Sequence, residues 1–350
     1  MASDLDRDSI VACDPTGQVA ETLGLADHMR DALWRVESAG IKPVDAPGGL
    51  VVAGMGGSSI GGRLARAAIG PRARRPLTVV GGYALPGWVG PDTLVLCASY
   101  SGSTEETLAC YDHAVELGAP RIVATTGGPL AERARRDGVP VIPLPGGFQP
   151  RAAVGYAFVA ALEVAAACGV APSLRDEVEA AAALAERLAA DWGLDGPAAG
   201  LPRKLARDIV DTVPVIAGSE LMSEVAYRWK TQINENAELP AFASALPELD
   251  HNEIVGWASA RELARFSAIF LEDPDQHPRN ARRIELTARA AEVGAVVVER
   301  VSAVGGTRTE RVVSLVLLGD LVSLYLAVLR GIDPVSVQAI DRLKADLDAS

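Results

Sequence analysis

Cysteine and histidine are scarce in this 350-residue chain, with four of each. Cys13, Cys97, Cys110 and Cys168 form no CxxC pair, which leaves no zinc ribbon, paired-thiol redox motif or disulfide framework to argue for. Cys97 and Cys168 stand in apolar surroundings, so reduced thiols in a cytoplasmic protein are the expectation. His28, His113, His251 and His277 make no HxxH or HExxH ligand set, which argues against a site built around a metal. No dinucleotide fingerprint is present either, so neither redox chemistry nor a cofactor is expected. Basic charge is in deficit. The net charge is -12, whereas a nucleic-acid binder normally shows a basic face. A small anion can still bind, because local donors outweigh distant surface charge in solvent.

Long apolar runs free of charge are missing as well. The two candidates, 152–171 and 312–329, carry Glu163 and Asp320 near their middles. An acid at the bilayer centre costs roughly 2.5–3.5 kcal/mol on the insertion scale. Both segments therefore read as helices buried in protein, with a subunit interface as one place for them, and no membrane partner is expected. The acidic, polar N-terminus does not read as a signal peptide.

What remains is a globular chain, 49% hydrophobic and long enough for two cores. In the first half, strand-like runs at 50–53, 78–81, 93–98, 121–125 and 139–144 alternate with helical patterns such as 105–117 and 130–136. That alternation predicts a parallel sheet covered on both faces. Long alanine-rich helices follow at 152–168 and 174–192, then the connector "GLDGPAAGLPR". The pattern resumes with strands at 213–217, 266–271 and 295–301 and a very apolar helix at 307–329. The order of elements suggests a duplicated α/β unit. The expectation is two doubly wound parallel-sheet domains, 1–192 and 203–350.

Two loops carry the first chemistry. "VVAGMGGSSIGGRLARA" (51–67) ends an apolar strand in glycines and serines and then turns helical. Such a turn suits a phosphate: a helix N-terminus offers unpaired N–H groups and partial positive charge, and glycine lets the backbone come close. It is neither a Walker A loop nor GxGxxG, and by itself it could equally serve strand–helix packing. "CASYSGSTEETLA" (97–109) repeats the arrangement with Ser99, Ser101, Ser103 and Thr104 clustered where one N-cap needs one hydroxyl. Together the loops describe a cradle for one phosphate on a hydroxyl-rich ligand, with Gly57, Ser58, Ser59, Ser99, Ser101 and Thr104 as candidate contacts.

"GMGGSSIGG" plus "SYSGSTEET" resembles the sugar isomerase (SIS) domain, which has a flavodoxin-like fold and binds phosphosugars through such loops. In the second half, "KTQINENAELPAFASALPELDHNEIVGW" (230–257) is similar to the signature of the bifunctional phosphoglucose/phosphomannose isomerases, which hold two SIS domains. The resemblance implies that Glu235 is the proton-transferring base, that His251 opens the sugar ring and that Arg151, in "FQPRAAVG", supports the enediolate. It also implies a homodimer in which the histidine comes from the other subunit. The residue types suit the task. A glutamate is ionised at neutral pH and needs no metal to accept a proton. Imidazole both gives and takes a proton near neutrality, and a fixed guanidinium favours a negatively charged enediolate over the neutral sugar.

The chain departs from the family pattern in three places. Glu238 stands where the family has lysine, and Asp250 where it has asparagine before the histidine. Val335, in "DPVSVQAIDRLK", stands at a threonine linked to acceptance of the mannose epimer. Lys344 on the last helix is a further candidate contact to the ring oxygen, with a solvated helix face as the plainer reading. The functional expectation is isomerisation of glucose 6-phosphate and fructose 6-phosphate, with mannose 6-phosphate as a further substrate. The alternative is a non-catalytic phosphosugar sensor, because SIS domains serve both ends.

Overall fold

The computed structural model describes residues 5–348. Five strands, β1 (Gly49–Ala53), β2 (Leu77–Val80), β3 (Thr93–Ala98), β4 (Arg121–Thr125) and β5 (Val141–Pro143), form one parallel sheet in the order β2-β1-β3-β4-β5. Four more, β6 (Val213–Ser219), β7 (Phe242–Leu246), β8 (Phe266–Glu272) and β9 (Ala295–Ser302), form a second parallel sheet in the order β7-β6-β8-β9. The two orders follow one pattern, so each sheet has a switch point beside its first strand, between β1 and β3 and between β6 and β8. Strands β1 and β3 are buried along their whole length, which is why they read as unbroken apolar runs rather than alternating ones.

The first half of the chain holds α1 (Arg7–Cys13), α2 (Gln18–Leu23), α3 (Leu25–Ser38), α4 (Gly56–Ile69), α5 (Glu105–Glu116), α6 (Gly128–Arg136), α7 (Val154–Ala167) and α8 (Arg175–Trp192). The second half holds α9 (Leu201–Ile209), α10 (Leu221–Asn236), α11 (Ala260–Leu263), α12 (Pro278–Ala291), α13 (Arg308–Arg330) and α14 (Gln338–Asp348). Of the first set, α1, α2 and α8 reach α13 of the second half. The connector between the halves is not loose. The buried Arg203 guanidinium donates to the carbonyls of Gly193, Leu194, Gly196 and Pro197 at 2.6–3.1 Å.

Helix α13 begins in a capping box, in which Thr307 Oγ1 accepts from the Glu310 amide and the Glu310 carboxylate accepts from the Thr307 amide. It ends at Gly331 in the left-handed conformation. It is long and apolar enough to cross a membrane by length and composition, yet 94% of that stretch is buried inside the fold. It packs against α10, α8, α9 and α4, and so joins the two halves. The two apolar helices therefore find their cover within one chain. They are buried in protein as expected, and their apolarity does not itself call for the subunit interface offered as one place for them. Their acids are paired too, Glu163 with Arg175 at 2.7 Å and Asp320 with Arg228 at 2.6 Å.

Helix α13 approaches α10 closely only because residue 319 is glycine. A Cβ there would lie 2.2 Å from Trp229 Nε1, and that indole is fully buried and donates to the Leu315 carbonyl at 2.7 Å. Gly319→Ala is expected to destabilise the protein by about 1–3 kcal/mol through overpacking. Denaturant titration of the variant beside the parent checks this, and an unchanged midpoint would show that the two helices can separate freely.

Candidate active site

The loops after β1 and β3 open side by side at the carboxyl edge of the first sheet, at its switch point, where open α/β sheets bind ligands. Gly54 permits the approach, because a Cβ there would meet the Ala98 carbonyl at 2.7 Å. The Tyr100 amide donates to Ser58 Oγ at 3.2 Å and stitches the loops together. Ser99 is buried; its Oγ accepts from the Gly102 amide at 3.1 Å and lies 2.8 Å from Thr104 Oγ1. Ser101 and Ser103 are exposed, with their hydroxyls 2.9 Å apart. Ser59 sits half-buried in the first turn of α4. Among the described residues no side chain caps the N-terminus of α4 or of α5, although Thr104 occupies the cap position of the latter. Plain N-capping thus does not account for the hydroxyl of Thr104. Both helix starts present their amides and partial positive charge at one edge.

This cradle adjoins Arg151. A Cβ on Gly57 would lie 2.6 Å from the Pro150 carbonyl and 3.4 Å from Arg151 Cα, so the first glycine-rich loop rests on the segment that follows β5. The Arg151 guanidinium is buried. Its Nε donates to Asn236 Oδ1 at 2.6 Å, its Nη1 to Glu235 Oε2 at 3.4 Å, and its Nη2 to the Pro334 carbonyl. Burial pulls its pKa below the usual arginine value, opposed by the carboxylates of Glu235 and Asp333. A guanidinium has five N–H donors; three are used in this way and two are left among the described residues. The structure thus brings the cradle, Arg151, Glu235 and the turn before Val335 together. Val335 is half-buried, and its amide donates to Asp333 Oδ1 at 2.9 Å.

Glu235 stands on a helix although prolines follow it closely in sequence. It lies in the last turn of α10, where helix geometry aims it beside Asn236. The "FASAL" segment after it, not assigned to a strand from sequence alone, is strand β7, parallel to β6. This has a consequence for His251. In a β6–α10–β7 crossover the helix runs back against the strands, so Glu235 ends at the amino edge of the second sheet. His251 follows β7 and stands beyond its carboxyl edge. Five residues of strand alone span about 16 Å. Within one chain the two residues therefore do not meet, although they are only sixteen positions apart in sequence.

His251 is exposed, and its imidazole makes no hydrogen bond or ion pair among the described residues. The residue before it is firmly held. Asp250 accepts from Arg283 Nη1 at 2.8 Å and from Thr287 Oγ1 at 2.7 Å, both on α12. That clamp gives the aspartate a use which asparagine, with one acceptor oxygen, would serve less well. Glu238 adopts positive φ (46°) just past the end of α10. Lys344 is exposed on α14, away from these contacts, in keeping with a solvated helix face.

Among the described residues, the duplicated position in the second sheet carries no such cradle. After β6 the chain passes through Glu220, with φ 51°, and its carboxylate accepts from the His277 amide and Asn280 Nδ2, both at 3.0 Å. After β8 stands the buried Asp273, ion-paired with Arg311 at 2.7 Å. Carboxylates at this edge would oppose a phosphate, so among the described residues the candidate cradle belongs to the first sheet alone.

Several supporting residues escaped the sequence reading: Asn236, Arg228, Ser323 and the partner role of Asp320. One signal was available. An acid inside a very apolar helix must have a partner when it is buried, and "YRWK" offered one.

Residues 199–347 match the family described as bacterial phospho-glucose isomerase C-terminal SIS domain. The chain is 40% identical over 301 residues to a bifunctional phosphoglucose/phosphomannose isomerase of Caldicellulosiruptor bescii, covering 85% of this chain and 89% of that protein. It is 36% identical over 300 residues to a protein of the same name from Aquifex aeolicus, covering 85% and 90%. Among solved structures, a hypothetical protein from Thermus thermophilus superposes with a TM-score of 0.71 at 19% identity, covering 98% of this chain and 94% of that one.

Proposed function

Because the chain belongs to the bifunctional phosphoglucose/phosphomannose isomerase family, we propose that it interconverts glucose 6-phosphate and fructose 6-phosphate through a cis-enediolate. The observation that carries this reading is the contact of Arg151 with Glu235 beside the hydroxyl-lined cradle. The phosphate docks on Ser58, Ser59, Ser101, Thr104 and the amide of Gly57, with the buried Ser99 close by and holding Thr104. This anchors the substrate and leaves C1 and C2 toward Arg151 and Glu235. Glu235 takes the proton from one carbon and returns it to the other, while the hydroxyl proton passes between O2 and O1 of the cis-enediolate, so that one carbonyl is lost as the other forms. The two unengaged N–H groups of Arg151 face the charge that develops on the enediolate oxygens and stabilise it more than the neutral sugar.

His251 opens the sugar ring. Its position beyond the far edge of the second sheet supports a homodimer in which each site takes this histidine from the partner chain, with Asp250 and Arg283 holding it outward. Val335 supplies no hydroxyl beside the Pro334 turn. Mannose 6-phosphate is therefore expected to turn over more slowly than glucose 6-phosphate.

The direct test is purified protein with fructose 6-phosphate in the presence of EDTA, with glucose 6-phosphate and mannose 6-phosphate each measured. Formation of glucose 6-phosphate is the expected result. Tight binding of the phosphosugar with no turnover would instead make the protein a sensor.

The cradle has its own test. Ser101→Ala or Thr104→Ala is expected to raise KM with little change in kcat, because phosphate contacts are similar in the ground and transition states. A hydrogen bond to a charged group contributes about 1.5–3 kcal/mol, which corresponds to roughly a ten- to hundredfold rise. If both variants kept the parent KM, the phosphate would have to bind elsewhere.

A further inference from the structure

We infer that the buried Arg228–Asp320 ion pair and the Asn236–Ser323 hydrogen bond form one positioning device for Arg151, so that helix α13, which carries no reacting group, orients the guanidinium. The inference rests on the enediolate reading above.

Helices α10 and α13 are joined by two polar rungs. In the first, Arg228 Nε and Nη2 donate to the two oxygens of Asp320 at 2.9 and 2.6 Å, and Nη2 also donates to the Arg151 carbonyl at 3.0 Å. In the second, Asn236 Nδ2 donates to Ser323 Oγ at 2.8 Å while Asn236 Oδ1 accepts from Arg151 Nε at 2.6 Å. Asp320 and Ser323 lie three residues apart on one face of α13, and Arg228 and Asn236 lie eight apart on α10. The first rung thus grips the backbone of Arg151 and the second grips its side chain. All five residues are buried, none more than 6% exposed.

The polarity of the second rung is set by proton counting. A hydroxyl has one proton to donate, and Ser323 spends it on the Asp320 carbonyl at 2.7 Å. It can then only accept from Asn236, so the amide must turn its NH2 toward Ser323 and its oxygen toward Arg151. A guanidinium cannot accept a hydrogen bond. The flipped amide would set donor against donor and release the Nε contact. Ser323 and the donor-only guanidinium therefore require the same orientation of Asn236, and Asn236, anchored by Ser323, fixes where the guanidinium plane lies.

A purely structural role accounts poorly for this arrangement. A buried ion pair can often be replaced by apolar side chains of similar volume without loss of stability, and the surroundings on α13 are almost wholly apolar. Yet both rungs converge on one arginine. Small errors in the placement of a reacting or stabilising group are costly, with about 1 Å worth roughly a hundredfold in rate.

The experiment compares the parent with the double variant Arg228→Met/Asp320→Leu, which leaves no unpaired charge, and with Ser323→Ala. Steady-state kinetics with fructose 6-phosphate are read beside thermal unfolding. The double variant is expected to keep its melting temperature and its KM within about twofold while kcat falls roughly 10–100-fold. Ser323→Ala is expected to lower kcat about threefold to tenfold with KM unchanged, because phosphate anchoring does not pass through Asn236. Should the double variant fold poorly, Ser323→Ala decides alone. A parent-like kcat in the folded variants, with the parent active and Glu235→Gln inactive, would overturn the inference and leave the isomerase reading intact. A parent protein without turnover would remove both.

Discussion

Replacing Glu235 by glutamine is expected to lower kcat for fructose 6-phosphate about 10²–10⁴-fold, the usual contribution of a positioned general base. Glutamine keeps the shape and can still offer an oxygen to Arg151, whose Nη1 lies 3.4 Å from the carboxylate. What it cannot do is accept a proton from carbon. The cradle is built from other elements, chiefly the loops after β1 and β3, so phosphosugar binding should survive. The measurement is kcat and KM together with a direct binding titration. The variant should bind near the parent affinity and scarcely turn over. Because the step lost is proton transfer itself, exchange of the substrate's C1 or C2 hydrogen with solvent should disappear in parallel. A variant with near-parental kcat would end the assignment of Glu235, whatever became of the fold.

Mixing two inactive variants should restore activity. Glu235 and His251 stand at opposite edges of the second sheet in one chain, so a site holding both must draw on two chains. Glu235→Gln and His251→Ala, each nearly dead alone, would form a mixed dimer with one site intact and one lacking both groups. With random exchange about half the dimers are mixed and half their sites are whole, so specific activity should approach about a quarter of the parent value. Subunit exchange must be verified independently, for example by mass-tagged chains. Exchange without recovery would show that no site combines Glu235 of one chain with His251 of the other. Sedimentation as a monomer at assay concentration would remove the shared site altogether.

Much of the site could be read from residue order. The two glycine–serine loops announced themselves through hydroxyls in excess of what a cap uses, and both lie at the carboxyl edge of the first sheet. Their strands were legible because a parallel sheet buries both faces and writes itself as unbroken apolar runs. The second half was harder. Glu235 reads as part of a polar loop because α10 ends there among charges and amides, and the helical period fades at its last turn. Strand β7 is short, with Phe242 and the residues after it largely exposed or half-buried, so its sequence lacks the apolar signature of β1 and β3. That α13 is buried in protein was legible, but not what buries it. Periodicity reports how many faces are buried but not which neighbours bury them, and those neighbours are α10, α8, α9 and α4 of the same chain.

The sequence by itself determined the alternation of strand and helix, and it singled out two glycine–serine loops and Glu235, His251 and Arg151 as the candidate site. These depend on local chemistry: glycine's conformational freedom, hydroxyl clustering, and the charge states of glutamate, histidine and arginine. Only the tertiary structure decided that Arg151 and Glu235 touch, that Asp320 is paired with Arg228, and that His251 stands away from both. Those are relations between segments 84, 92 and 16 residues apart. Distance along the chain does not predict them, because a parallel crossover sends near neighbours to opposite sheet edges while packed helices bring remote ones into hydrogen-bond contact.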